Sequence, residues 1–421
     1  MLTAPDAALE ALSTQLSEAV DGAALDEASA QAYAALSRSA QGREKLTAVT
    51  RQLGGQAARR LDSAQARALY GRPVMSVSRL ETFAQCPYRH FIRYGLVPKE
   101  PMEPGVNRAE LGTLYHEAAE RFTRAVTALP DFPQVAPETC DALMDEAVAP
   151  LIVLWRQSPL GESARGEAIA RRIGRTARRT ARNIVTQFAG SRFRPMDSEL
   201  VFGRDGIAPI MLELADGTNA YLQGRIDRVD ILDEGEKRIR VIDYKSGAKR
   251  FDPTMAYYGL QLQLLLYLAA ALAQIPDSGA AGFFYCRIAD PTIRSDARVK
   301  EEIERQLAKK LALAGVSLSD VEILRAQGTQ QAAMITRDGK PSAAHRASMT
   351  DEDGMNAMIA FARRKAAQLA GDVYAGQIDN TPAVLGAFIA CGTCRYGSIC
   401  GFDPTICPLR MLQKKSVEDL K

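Results

Sequence analysis

Asp243 and Lys245 stand two apart in "RIRVIDYK", where strand alternation puts them on one side with Ile239 and Val241. Two apolar anchors thus hand over to an acid and a base aimed the same way. Upstream, "AYLQGRIDRVDIL" places Asp227 on the face of Val229 and Ile231, an expensive position for a lone charge. The intervening turn "DEGEKR" is short enough for an antiparallel hairpin, which brings Asp227 close to Asp243 and Lys245. Two carboxylates held together repel unless a divalent cation sits between them, and Mg2+ takes oxygen ligands while keeping several waters. A lysine beside them offsets phosphate charge as an attacking oxygen approaches phosphorus. A cross-strand ion pair in an ordinary hairpin accounts for the same residues without any chemistry.

Three more segments offer groups to such a site. "MDSELVF" puts Glu199 at the start of the strand run, and "RAELGTLYHEAAERF" carries His116 off a helical stripe made by Leu111, Leu114, Ala118 and Phe122. In "YYGLQLQLLLYLAAAL", Gln263 and Tyr267 are four apart on one helical face. They suit phosphate contacts, or buried hydrogen bonds to backbone.

The elements that must position these groups are legible in outline. Helices are predicted at about 108 to 126, 138 to 157 and 163 to 190, followed by strands from about 198 to 245. Residues 1 to 75 read as a helical lead-in rich in Ala, Gln and Ser, and a compact domain is expected over 76 to 421. In "SVSRLETFAQCPYRHF", Ser78 and Glu81 have the spacing of a capping box.

Composition excludes several classes. At 421 residues, 47% hydrophobic and 24% charged, the chain can fill one large or two ordinary cores. Its longest apolar run, "LLLYLAAALA", falls short of the roughly 18 residues of a membrane span, and the first residues lack a basic segment followed by an apolar one. A cytoplasmic location is expected. No G-x-x-x-x-G-K-[ST] loop is present, so no ATP motor is expected in this chain. A net charge of +3 names no nucleic-acid partner by itself.

The seven cysteines are too scattered for a disulfide framework. Cys391, Cys394 and Cys400 form C-x2-C-x5-C, while Cys86 stands in "CPYRHF" far upstream; four such thiolates suit zinc or an iron-sulfur cluster. Cys407 is a possible substitute for one of the three, and Cys140 and Cys286 read as core thiols. A basic helix, "ARGEAIARRIGRTARRTARN", aligns Arg171, Arg175, Arg178 and Arg182 on one face. Such a stripe can neutralise DNA phosphates without reading bases, or it can be a solvated face paired with nearby acids.

Taken in order, "GTLYH", Glu199, "GRIDRVD", "DYKSG" and "QLLLY" resemble the motifs of RecB-type PD-(D/E)xK nucleases. The resemblance implies a restriction-endonuclease-like α/β fold: a central mixed sheet flanked by helices, with helical additions and a Cys-rich iron-sulfur staple. It implies Mg2+ or Mn2+ held by His116, Asp227, Asp243 and the carbonyl of Tyr244, with Glu199, Lys245, Gln263 and Tyr267 completing the catalytic set. Ile226 stands where the family name has proline, which leaves Asp227 in place. One cysteine before these motifs and three after them is similar to the AddB family of helicase-nuclease subunits. That likeness implies a [4Fe-4S] cluster on Cys86, Cys391, Cys394 and Cys400, an AddA-like helicase partner, and DNA double-strand ends and single strands as substrate. Members carry a helicase-like half before the nuclease domain, so the chain is expected to be a fragment or a nuclease-only relative. A stand-alone exonuclease of the CRISPR-adaptation type and a non-catalytic DNA-end-binding module are the other readings.

Overall fold

The computed structural model describes residues 12–13, 15–16, 19, 24–53, 60–99, 108–156, 163–204, 207–293, 300–403 and 409–421. The elements that build the site are, in order, β1 (Val74–Ser76), α1 (Val77–Gln85), α2 (Arg108–Thr127), α3 (Pro137–Arg156), α4 (Ala164–Phe188), β2 (Arg194–Phe202), β3 (Ile210–Glu213), β4 (Asn219–Leu232) and β5 (Lys237–Lys245). They continue with α5 (Gln263–Gln274), β6 (Ser278–Arg287), β7 (Ala314–Leu318), β8 (Met349–Thr350) and α6 (Glu352–Tyr374). Helices Glu27–Ser37, Ala40–Leu53 and Ser63–Tyr70 precede them. No helix among the described residues is long and apolar enough to cross a membrane.

One sheet runs β1-β4-β5-β6-β7-β8, with β2 and β3 also paired to β4. Its long strand β4 takes β3 and β1 along its first residues and β2 and β5 along the rest. The β4–β5 pair is antiparallel, as the short turn requires, whereas β5 and β6 are parallel and joined through α5. The sheet is therefore mixed.

Alternation along the strands feeds a core on each face. Ile239 and Val241 of β5 pack with Val229, Phe283 and the inner sides of α1, α5 and α6. Ile242 and Tyr244 point the other way, into a cluster with Phe122 of α2, Met144 of α3 and Ile184 of α4. Cys140 and Cys286 are buried in this second core, as their sequence surroundings suggested. Ala66 and Tyr70 belong to the first core, so the packed body reaches upstream of residue 76, the expected start of the compact domain.

Two local expectations are corrected. The helix predicted through "YYGLQLQLLLYL" is interrupted, because Gly259 adopts φ +80 and a Cβ there would meet Leu369 Cδ1 at 2.6 Å. The helix α5 starts afresh at Gln263. The N-cap of α1 is Ser76, whose side chain accepts from the Arg79 N–H, and Glu81 takes no part in it.

Candidate active site

The β4–β5 ladder ends at the Arg228–Ile242 pair. One step further on, the Asp227 side chain replaces a ladder acceptor: its Oδ2 accepts the backbone N–H of Tyr244 at 2.7 Å. Its Oδ1 lies 3.2 Å from His116 Nδ1, delivered by α2. Burial disfavours the charged imidazole, but the hydrogen bond and charge of Asp227 outweigh it and raise the His116 pKa.

Asp243 is fully buried on the Val241 side of β5. One of its oxygens ion-pairs with the Lys245 ammonium, and Oδ1 has no hydrogen-bond partner. Burial pushes the Asp243 carboxyl up to about 6; Lys245 opposes the shift and Asp227 adds to it. A second acid of β4, Asp230, points to the opposite face, where Arg228 Nε and Arg240 Nε hold it at 3.0 and 2.8 Å. On that side the acid is neutralised by two guanidinium groups, whereas Asp243 on the other side faces one ammonium and the second carboxylate, Asp227.

The helix α5 adds Gln263, whose Nε2 donates to Tyr267 Oη at 3.1 Å. Burial raises the Tyr267 pKa, and the charge of Asp243 raises it further. Glu199 lies on β2 between Ser198 and Leu200, which pair with Arg228 and Ile226, so its backbone is opposite Asp227. Its side chain lies outside the described residues. Tyr244 sends its ring into the second core, where Arg228 Nη1 donates to its hydroxyl at 3.2 Å.

Three further groups surround the site without belonging to any of its motifs: Glu81, Lys249 and Tyr285. Glu81 Oε1 accepts the N–H groups of Leu262 and Gln263 at 2.8 and 3.1 Å, filling the open N-terminus of α5 from α1. Lys249 lies over the ring of Tyr285, the β6 residue beside Asp243 in the sheet. A lysine four residues after Lys245 is the available sequence signal for Lys249; nothing local points to the reach of Glu81.

Donor chemistry fits a hard divalent cation: two carboxylates, one with an orphaned buried oxygen, and an imidazole. Among the described residues, no three His, Cys, Asp or Glu side chains are already gathered to hold a metal ion. Away from the sheet, Cys86, Cys391, Cys394 and Cys400 line one cavity with Tyr88, Arg89 and Phe402. Burial pushes the Cys86 thiol up to about 11, against backbone N–H groups of Arg89 and Tyr88 and with reinforcement from Cys391 and Cys394. Cys407 lies outside the described residues.

The arginine stripe divides. Arg178 grips Asp145 through two hydrogen bonds of 2.8 and 2.7 Å, and Arg182 grips Asp141 at 2.8 and 2.6 Å, both acids being on α3. Arg171 and Arg175 are exposed on the same helix.

The sequence profile of the PD-(D/E)XK nuclease superfamily matches residues 74–401. Among curated relatives, the chain is 33% identical over 374 residues to the AddB subunit of the ATP-dependent helicase/deoxyribonuclease of Alkaliphilus metalliredigens, covering 85% of this chain and 32% of that protein. It is 34% identical over 363 residues to the protein of the same name from Clostridium tetani, covering 82% and 31%. A Moorella thermoacetica protein of that name is 33% identical over 363 residues, again covering 82% and 31%. The chain spans about a third of the length of these relatives.

Proposed function

The chain belongs to the PD-(D/E)XK nuclease superfamily, and from that premise we propose that it is the metal-dependent deoxyribonuclease part of an AddB-like subunit, hydrolysing phosphodiester bonds as broken DNA ends are processed for repair. The observation that carries this reading is the buried Asp243, with an unpartnered Oδ1, at the strand end it shares with Asp227 and Lys245. A carboxylate placed so is costly to ionise, and the cost is offset by binding a cation.

Asp227, Asp243 and His116 would hold Mg2+ or Mn2+, with the Tyr244 carbonyl and Glu199 as further ligands. When bound, the cation supplies Lewis-acid stabilisation of phosphate charge and a more acidic water. The chain's own groups do the rest. Tyr244 N–H fixes the orientation of Asp227, so one carboxylate oxygen stays turned to His116. Lys245 opposes the burial that disfavours the ionised Asp243 and would present positive charge to the phosphate. Gln263 and Tyr267, joined by a hydrogen bond, line the strand's path.

The four thiols that share a cavity support a [4Fe-4S] cluster on Cys86, Cys391, Cys394 and Cys400, closing a staple around the domain. The names of the relatives favour an AddA-like helicase partner over the stand-alone exonuclease reading. Duplex ends and single strands are the proposed substrates, with exposed Arg171 and Arg175 as phosphate contacts beside the α3-bound Arg178 and Arg182.

The test is a cleavage assay of the anaerobically purified chain on end-labelled single-stranded and duplex DNA, with and without Mg2+, beside Asp243→Ala. Cleavage that needs Mg2+ and disappears in Asp243→Ala is expected. Cleavage by Asp243→Ala at the parent rate would reduce the acid and lysine to a hairpin ion pair.

A further inference from the structure

Lys249 follows β5 by four residues, and its ammonium sits 4.9 Å from the centre of the Tyr285 ring. Tyr285 is the register partner of Asp243, on the neighbouring strand β6. Adjacent strands lie about 4.8 Å apart, so the ring that seats the ammonium belongs to the strand directly beside the candidate metal-binding acid. Lys249 is half-buried, and among the described residues its ammonium has no hydrogen bond or ion pair. Burial lowers its pKa, Glu81 and Asp243 favour the charged form, and Lys245 opposes it. Every charge acting on it belongs to this site.

Two features hold that geometry. The face of Tyr285 attracts the ammonium without neutralising it. Glu81 contributes the opposite charge from a fixed place, because its Oε1 is tied to the Leu262 and Gln263 N–H groups at the start of α5. Lys245, in contrast, is already paired with Asp243. The site therefore holds one lysine ion-paired with its acid and one that feels Glu81 and Asp243 without a direct ion pair among the described residues.

We propose that Lys249 is a second phosphate-contacting cation, which binds the DNA backbone beside the phosphate being cut, with Glu81 and Tyr285 as its positioning residues. This rests on the nuclease reading and extends it from the acids to the seating of the strand. Ammonium on a flexible stem suits that task, since it meets phosphate as a point charge and imposes no base preference.

The experiment compares the full chain with Lys249→Met and Lys249→Arg, because methionine keeps an unbranched stem against Tyr285 and removes only the charge. Fluorescence anisotropy of a labelled single-stranded oligonucleotide is followed across a salt series with Ca2+ in place of Mg2+, and thermal midpoints are recorded in parallel. Lys249→Met should bind about tenfold more weakly and lose about 0.7 from the slope of log affinity against log salt. Lys249→Arg should restore the slope, and all three midpoints should agree. Parent-like affinity and slope in Lys249→Met, or a slope that arginine does not restore, overturns this proposal while a parent that binds and cuts DNA leaves the nuclease reading standing. A parent that neither binds nor cuts overturns both.

Discussion

The backbone N–H of Tyr244 donates to Asp227 Oδ2 at 2.7 Å, at the point where the β4–β5 ladder has run out of paired residues. A side chain thus completes a strand's hydrogen bonding, and under the proposed function it would also hold the cation, two roles that substitutions can separate. Asp227→Asn retains an acceptor for Tyr244 and should keep the parent's unfolding midpoint while losing at least about a hundredfold in cleavage rate. Asp227→Ala should lose cleavage and also cost about 1–3 kcal/mol, because the Tyr244 N–H is left unpaired. Urea unfolding beside single-turnover cleavage separates the two; equal stability for both variants would show that the backbone bond contributes nothing.

Asp243 stores a pH-dependent penalty. Its folded pKa, about 6, is above its ordinary 3.8, so its contribution to stability is present at low pH and is lost as pH rises through about 6. Without divalent cations, Asp243→Asn should therefore raise the melting midpoint at pH 7.5 more than at pH 5, and it should abolish cleavage. Calorimetry at the two pH values checks this. A midpoint that falls equally at both would mean that the Lys245 pair outweighs burial.

His90 acts in the opposite sense. It is enclosed by Tyr70, Phe83 and Tyr94 at ring separations of 5.1, 5.4 and 5.2 Å, and its Nε2 accepts from Arg79 Nε at 3.1 Å. Burial and then the Arg79 charge depress its pKa to about 3 from an ordinary 6.5. Stability from the neutral ring is complete above 6.5 and is lost as pH falls towards 3, at about 1.4 kcal/mol per pH unit. His90→Gln should flatten the acid limb of a stability–pH curve measured by urea unfolding. An unchanged limb would exclude His90 as its source.

The basic helix should behave as two pairs. Replacing Arg171 and Arg175 with Gln should lower the salt slope of single-strand binding by about 0.7 for each phosphate no longer neutralised. Replacing Arg178 and Arg182 breaks exposed pairs with Asp145 and Asp141 and should cost about 0.2–1 kcal/mol of stability each. Identical slopes for the two double variants would mean that the acids of α3 leave all four arginines equally available.

Cys86 should be the residue on which the staple depends most. Cys86→Ser should lose iron, turn the anaerobic protein from brown to colourless, and lower the melting midpoint by several degrees. Stoichiometric zinc and no iron in the parent chain would instead assign the four thiols to a zinc site.

The hairpin and its acids are legible because a strand's side-chain period of two fixes which residues share a face. Asp227 with Val229, and Asp243 with Val241, need no tertiary information. Glu81 escapes such reading because a serine and a glutamate three apart imitate a local cap, whereas its carboxylate serves a helix start 181 residues away. The same limit hides the acids that hold Arg178 and Arg182, which lie on another helix 33 and 41 residues earlier. Gly259 does not announce itself as a breaker because the apolar run on either side continues the helical period without interruption.

The joining of Cys86 to Cys391, Cys394 and Cys400 in one cavity also sets an order of events during synthesis. Cys86 caps the C-terminus of helix α1, yet its packing partner α6 and the other three thiols are translated hundreds of residues later. At about 5–20 residues per second, the first thiol waits roughly 15–60 s for the others, over about 300 residues of intervening chain. During that interval the apolar side of α1, with Leu80 and Phe83, has no α6 to cover it. Nascent chains stalled before residue 350 should therefore be protease-sensitive around α1, and oxidants that reach the ribosome should find Cys86 before its companions exist.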